Sequence, residues 1–163
     1  MKNQKRSDTK RLSLLGNAKT NYEYGEPNKN ILETFDNVHP DSSYIVPFEC
    51  TEFTSLCPKT GQPDFAELHI IYVPDKVMVE SKSLKLYLFS FRQHGEFHED
   101  VINCMVKDFR EVLSPKYVLI IGNFKVRGGI AIKPIVEWVD KKVKKEELKS
   151  IRWKVEQYWK VLK

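Results

Sequence analysis

The chain has 163 residues, 41% of them hydrophobic, and 27 Lys and Arg against 22 Asp and Glu give a net charge of +5. That length supports one core and one domain rather than two. No apolar run reaches the roughly 18 residues of a membrane span, the polar residues 1–11 lack the apolar stretch of a secretory leader, and Cys50, Cys57 and Cys104 contain no C-x-x-C pair for a disulfide framework or cysteine-built zinc site. The expectation is a soluble, cytoplasmic protein.

The basic charge is unevenly placed. Residues 1–20 carry six Lys and Arg against one acid and residues 133–163 carry ten against five, whereas residues 21–132 carry eleven against sixteen. A solvated tail and a charged terminal helix account for such ends, so direct nucleic-acid binding is not expected.

Residues 1–11 form a polar lead expected to stay flexible until Leu12, Leu14 and Leu15 meet a surface. Over 43–53 the alternation of Tyr44, Val46 and Phe48 with polar neighbours predicts a half-buried strand, in which Pro47 requires a sheet edge or a bulge. The turn formers of 57–64 lead into a second strand over 67–73, ended by Pro74 and Asp75. Residues 83–91 are apolar on nearly every side; Leu84 with Leu88 and Tyr87 with Phe91 favour a helix. Between 99 and 113, Val101, Ile102, Met105, Phe109, Val112 and Leu113 recur at three and four, with Glu99 and Asp100 at the helix start and Ser114-Pro115 as its stop. Runs over 117–126 and 130–139 read as a hairpin turned at Arg127-Gly128-Gly129, and 144–162 reads as a terminal helix. Two strands, two helices and two strands make an α+β antiparallel four-stranded sheet covered by helices. Its open edges predict a homo-oligomer.

Three clusters carry candidate chemistry. Cys57 lies in a polar turn beside Ser55, Lys59 and Thr60, an unusual place for a thiol that only fills a core; Lys59 is expected to favour the thiolate. Asp64 follows seven residues later, after Gly61 and Pro63 have turned the chain, so nucleophile and acid can meet. In the run from Glu80 to Lys85, Lys82 and Lys85 stand one helical turn apart, ready for phosphates. The run from His94 to Asp100 offers an imidazole, carboxylates and the Phe97 ring, an inventory suited to a purine-like base. Gly95 opposes a helix that would pair His94 with His98, so no metal site is expected.

Taken in order, Glu52-Phe53-Thr54-Ser55-Leu56-Cys57-Pro58-Lys59-Thr60-Gly61-Gln62-Pro63-Asp64-Phe65, then Glu80-Ser81-Lys82-Ser83-Leu84-Lys85-Leu86-Tyr87, Phe97-His98-Glu99-Asp100 and Arg127-Gly128-Gly129 closely resemble the short-form 7-cyano-7-deazaguanine reductases of queuosine synthesis, a tRNA modification. Leu14-Leu15-Gly16 and Leu32-Glu33-Thr34-Phe35 extend the likeness. The resemblance implies the tunnelling fold, whose ββααββ subunits join edge to edge into barrels, with residues 14–140 as its single domain, 1–13 as a lead and 141–163 as a helical extension. It implies NADPH as hydride donor with no catalytic metal, Cys57 as the thioimide-forming nucleophile, and Asp64 as proton donor. It places Val79, Glu80, Ser81, Phe97, His98 and Glu99 around 7-cyano-7-deazaguanine, Lys82 and Lys85 on the cofactor, and Arg127 on a phosphate from another subunit. Some relatives carry a cysteine where this chain has Val101, so a disulfide to Cys57 is not expected. The rival readings are a zinc-dependent cyclohydrolase of the pterin branch on the same fold and a tRNA-binding module.

Overall fold

The computed structural model describes residues 22 and 24–161; the lead over 1–13 and the Leu14-Leu15-Gly16 motif lie outside the described residues. Strands β1 (Thr34–Asp36), β2 (Val46–Leu56), β3 (Pro63–Val73) and β4 (Val77–Val79) precede helices α1 (Ser81–Ser90) and α2 (His98–Leu113). Strands β5 (Tyr117–Phe124) and β6 (Ile135–Val139) and helix α3 (Lys145–Val161) complete the chain. The main sheet has the order β2-β3-β5-β6, antiparallel throughout. This is the expected α+β arrangement.

Pro47 lies in edge strand β2, and that strand also slips register between Cys50 and Phe53, so both accommodations expected of the proline-containing strand are present. Strand β3 starts at Pro63, four residues earlier than the alternation suggests, because Leu56 pairs with Pro63 and Ser55 with Asp64 to prolong the hairpin. Arg127 and Ile130 exchange backbone hydrogen bonds of 3.0 and 2.9 Å around Gly128 (φ 55°) and Gly129 (φ 81°), the tight turn that the glycines predict. Strand β6 begins only at Ile135, beyond Pro134, rather than at residue 130.

The sheet β1–β4 was not expected. Three residues pair with three, Thr34 opposite Val79 and Asp36 opposite Val77, which is too short to show a period. Its function in the fold is positional: Glu80 N–H donates to Glu33 O at 2.9 Å, which fixes the start of α1.

One sheet face receives α1 and α2. Leu68, Ile70 and Tyr72 of β3 and Val118 and Ile120 of β5 meet Tyr87, Phe91, Ile102, Met105 and Phe109 there, all of them fully buried. Each such side chain contributes about 1.5–3 kcal/mol relative to exposure. The predicted α2 stripe is the buried face, except that Val112 is only partly covered. Helix α3 covers the other face, seating Ile151 and Val155 on Ile71, Val73, Tyr117 and Leu119. Burial from both sides explains why Ile70, Ile71, Tyr72 and Val73 are consecutively apolar. Among the described residues no helix is long and apolar enough to cross a membrane.

Candidate active site

The β2–β3 hairpin presents the thiol and the carboxylate at one end of the sheet. Cys57 is the first residue past β2; its N–H donates to Gln62 O and its carbonyl accepts from Gly61 N–H, both at 2.9 Å. Asp64 returns directly opposite Ser55. The outward backbone groups of Leu56 are taken by the segment preceding α2: its N–H donates to His94 O at 2.9 Å and its carbonyl accepts from Glu96 N–H at 3.1 Å. Gly95 eases this approach, since a Cβ there would stand a tight 3.3 Å from Pro58 Cα. The segment thereby clamps the cysteine loop and delivers the first turn of α2 beside it.

His98 opens α2 with its ring stacked on Phe124, centroids 3.9 Å apart and planes 15° from parallel. Its Nε2 lies 3.1 Å from Asp64 Oδ2, with side chains 11% and 2% exposed. The other carboxylate oxygen, Oδ1, pairs with Arg127 Nη1, and Arg127 Nη2 donates to Gln62 Oε1 at 3.0 Å. A loop end, a helix start and a hairpin turn therefore converge on one buried carboxylate.

The Cys57 thiol is lowered to about 7. The Thr60 hydroxyl is the largest cause, followed by the backbone N–H groups of Lys59 and Thr60, with a further contribution from Arg127. These donors stabilise the thiolate by hydrogen bonding. Lys59 favours the thiolate, as the sequence suggests, and does so through its backbone N–H. Cys50 and Cys104 are pushed the other way by burial, each to about 11, and all three cysteines are free. Only Cys57 is thus prepared as a nucleophile at neutral pH.

The remaining predicted residues form a second group. Val79 ends β4 and its N–H donates to Tyr72 Oη at 3.2 Å. Glu80 is the N-cap of α1: Oε1 accepts from Lys82 N–H at 2.8 Å and Oε2 from Ser83 N–H at 2.7 Å. Ser81 and Lys85 are exposed on α1 and, with Phe48, Phe53, Phe89 and Arg92, line a cleft of about 320 Å³ against β2. Lys82 precedes Lys85 by one turn, as expected. Phe97, half exposed, and Glu99 flank His98 on the solvent side.

The structure therefore brings Cys57, Asp64, His98 and Arg127 together, while Ser81 and Lys85 line a cleft to which none of those four contributes. Arg127 touches its own chain's Asp64 rather than joining Lys82 and Lys85. Sequence reasoning missed Phe124, the platform for His98, and Gln62, the second partner of Arg127; neither has a local signal. Thr60 was visible as a neighbour of Cys57, three residues on inside a glycine turn. Among the described residues no group of three or more His, Cys, Asp or Glu side chains is arranged to hold a metal ion.

A family model described as QueF-like protein matches residues 63–143. The NADPH-dependent 7-cyano-7-deazaguanine reductase of Bacillus cytotoxicus is 54% identical over 145 residues, covering 89% of this chain and 87% of that one. The enzyme of the same name from Streptococcus mutans is 53% identical over 145 residues, covering 89% of each chain. The one from Neisseria meningitidis serogroup C is 59% identical over 127 residues, or 78% of this chain and 80% of that one. The crystal structure of the archaeosine synthase QueF-Like in the apo form superposes with a TM-score of 0.55 at 21% identity, over 59% of this chain and 94% of that one, a likeness of fold. More than half identical to such relatives over nearly nine-tenths of its length, the chain belongs to the family of NADPH-dependent 7-cyano-7-deazaguanine reductases.

Proposed function

We propose that the chain reduces the nitrile of 7-cyano-7-deazaguanine to the primary amine of 7-aminomethyl-7-deazaguanine, through a covalent adduct on Cys57, in the queuosine branch of tRNA modification. The observation that carries this reading is a thiol lowered to about 7 at the end of the hairpin that also bears a buried, doubly contacted carboxylate. A nitrile carbon is a poor hydride acceptor, and a thiolate is the side chain suited to activate it and later to leave.

The thiolate sulfur bonds to the nitrile carbon, one C–N π bond opens, and the nitrogen takes a proton, giving a thioimide. Asp64 hands over that proton. His98 Nε2, in contact with Oδ2, is placed to resupply it. Going from nitrile to amine takes four electrons, hence two hydrides and two protons from solvent through this relay. After the first hydride reaches the thioimide carbon, the carbon–sulfur bond breaks, the sulfur leaves as thiolate, and the resulting imine accepts the second hydride.

NADPH, when bound, supplies those hydrides. The donor set suits its phosphates: Lys82 and Lys85 stand one turn apart at the start of α1, and Arg92 lines the same cleft as Lys85. Glu99 is assigned to the donor edge of the guanine-like ring, with Val79, Glu80, Ser81 and His98 around it and Phe97 against its face. Because Cys57 does not line the cleft of Ser81 and Lys85, the working unit is assigned as a homo-oligomer in which a neighbouring copy completes each site. Open sheet edges at β2 and β6 suit that assembly. The test is ultraviolet loss of NADPH on mixing with 7-cyano-7-deazaguanine: two NADPH are expected to disappear per nitrile, and none would reject the reading.

A further inference from the structure

Ser55 is fully buried on β2, yet its hydroxyl makes no hydrogen bond among the described residues. A buried, unpaired hydroxyl destabilises the fold and calls for an explanation. The surroundings sharpen the question, because the same sheet face carries Phe53 before it and Ala66 diagonally across, both apolar and buried. An alanine would suit such a position better if packing alone decided.

The partner directly opposite Ser55 is Asp64. Opposed residues of an antiparallel pair hold their Cβ atoms about 4.5–5.5 Å apart on one face, so two short side chains there are within rotamer reach. Cys57 follows Ser55 by two residues along the same strand direction, with its N–H still paired across the hairpin to Gln62. Ser55 thus stands on the acid's side of the hairpin, behind the nucleophile.

At present both Asp64 oxygens are engaged, Oδ1 by Arg127 and Oδ2 by His98. The two partners differ in how firmly they are held. His98 is stacked on Phe124, while Arg127 is one-third exposed on a two-glycine turn. If Arg127 turns away, Oδ1 loses its partner while Oδ2 keeps His98. We infer that Ser55 is a positioning residue whose hydroxyl takes over Asp64 Oδ1 when the Arg127 contact opens, keeping the carboxyl group aimed at the substrate nitrogen during proton transfer. This rests on the reductase reading above.

The experiment uses full-length Ser55→Ala and Ser55→Thr beside the unchanged protein, with thermal melting, steady-state kinetics and quench-flow mass spectrometry of the Cys57 adduct. The Ala variant is expected to melt no lower than the unchanged protein, because it loses an unpaired group. Its kcat should nevertheless fall about tenfold, a fraction of what a general acid supplies, with KM for both substrates within about twofold. The adduct should form more slowly but to the same final extent. The Thr variant, which keeps the hydroxyl, should recover most of kcat. An unchanged kcat in Ser55→Ala would overturn the inference, and so would a markedly lower melting temperature, which would mean that the hydroxyl is a structural partner. A Thr variant as slow as the Ala variant while equally stable would assign the loss to packing and overturn it too. Failure of the unchanged protein to consume NADPH would instead reject the reductase reading.

Discussion

The two groups of site residues are built on different terms. At the hairpin end, Cys57, Asp64, His98 and Arg127 come from three separate stretches of chain and already bear on one another, with His98 locked against Phe124 and the cysteine loop clamped through Leu56 and Gly95. At the start of α1, Glu80 spends both carboxylate oxygens on its own helix, and Ser81 and Lys85 face an open cleft that Cys57 does not line. On the proposed reading, the bond-making groups are preorganised within one chain, and a neighbouring copy completes recognition of the base and the dinucleotide. Such a division suits an enzyme that must exchange cofactor between two reductions while keeping its covalent intermediate in place.

The sharpest way to break this comparison is at the first group. Asp64→Asn keeps the shape of the carboxylate but offers one acceptor oxygen where Arg127 and His98 contact two, and it cannot relay a proton, so kcat is expected to fall roughly 10²–10⁴-fold with KM little changed. Steady-state kinetics checks this, and near-normal turnover would remove Asp64 from the relay. At the second group, reversing charge with Lys82→Glu and Lys85→Glu should raise KM for NADPH at least about tenfold, the equivalent of 1.4 kcal/mol, and leave adduct formation intact. Mixing that double variant with Cys57→Ala and allowing subunits to exchange should then restore activity above the sum of the two preparations. Strict additivity would show each site to be complete within one chain.

A smaller effect separates the causes of thiol activation. The thiolate is present above a pKa of about 7 and is lost as pH falls through it. Thr60→Val removes the largest of the stabilising donors, so the pKa should climb toward the ordinary thiol value near 9. Adduct formation should be severalfold slower at pH 7 and converge with the unchanged protein at high pH. Lys59→Ala, which keeps the backbone N–H, should leave the profile where it is; a shift as large as that of Thr60→Val would assign the effect to the ammonium group instead.

What could be read from sequence was what is local. The return of Asp64 toward Cys57 follows from a turn spelled by Pro58, Gly61 and Pro63, and α2 follows from apolar residues at three and four, so both were legible before any fold was known. The Arg127–Asp64 pair joins residues 63 positions apart, and the Phe124 platform under His98 depends on how β5 lies against α2. Neither leaves a trace in spacing or composition. Strands β1 and β4 were invisible for a different reason: with three residues each, they are held by backbone pairing to one another rather than by a side-chain period.

The most direct test of the central claim is the intact mass of the protein after incubation with 7-cyano-7-deazaguanine in the absence of NADPH. Addition of a thiol across a nitrile expels nothing, so the unchanged protein should gain the full mass of one substrate per chain, mapped by peptide analysis to Cys57, and Cys57→Ala should gain none. An unmodified protein, or an adduct that persists in Cys57→Ala, would contradict the account.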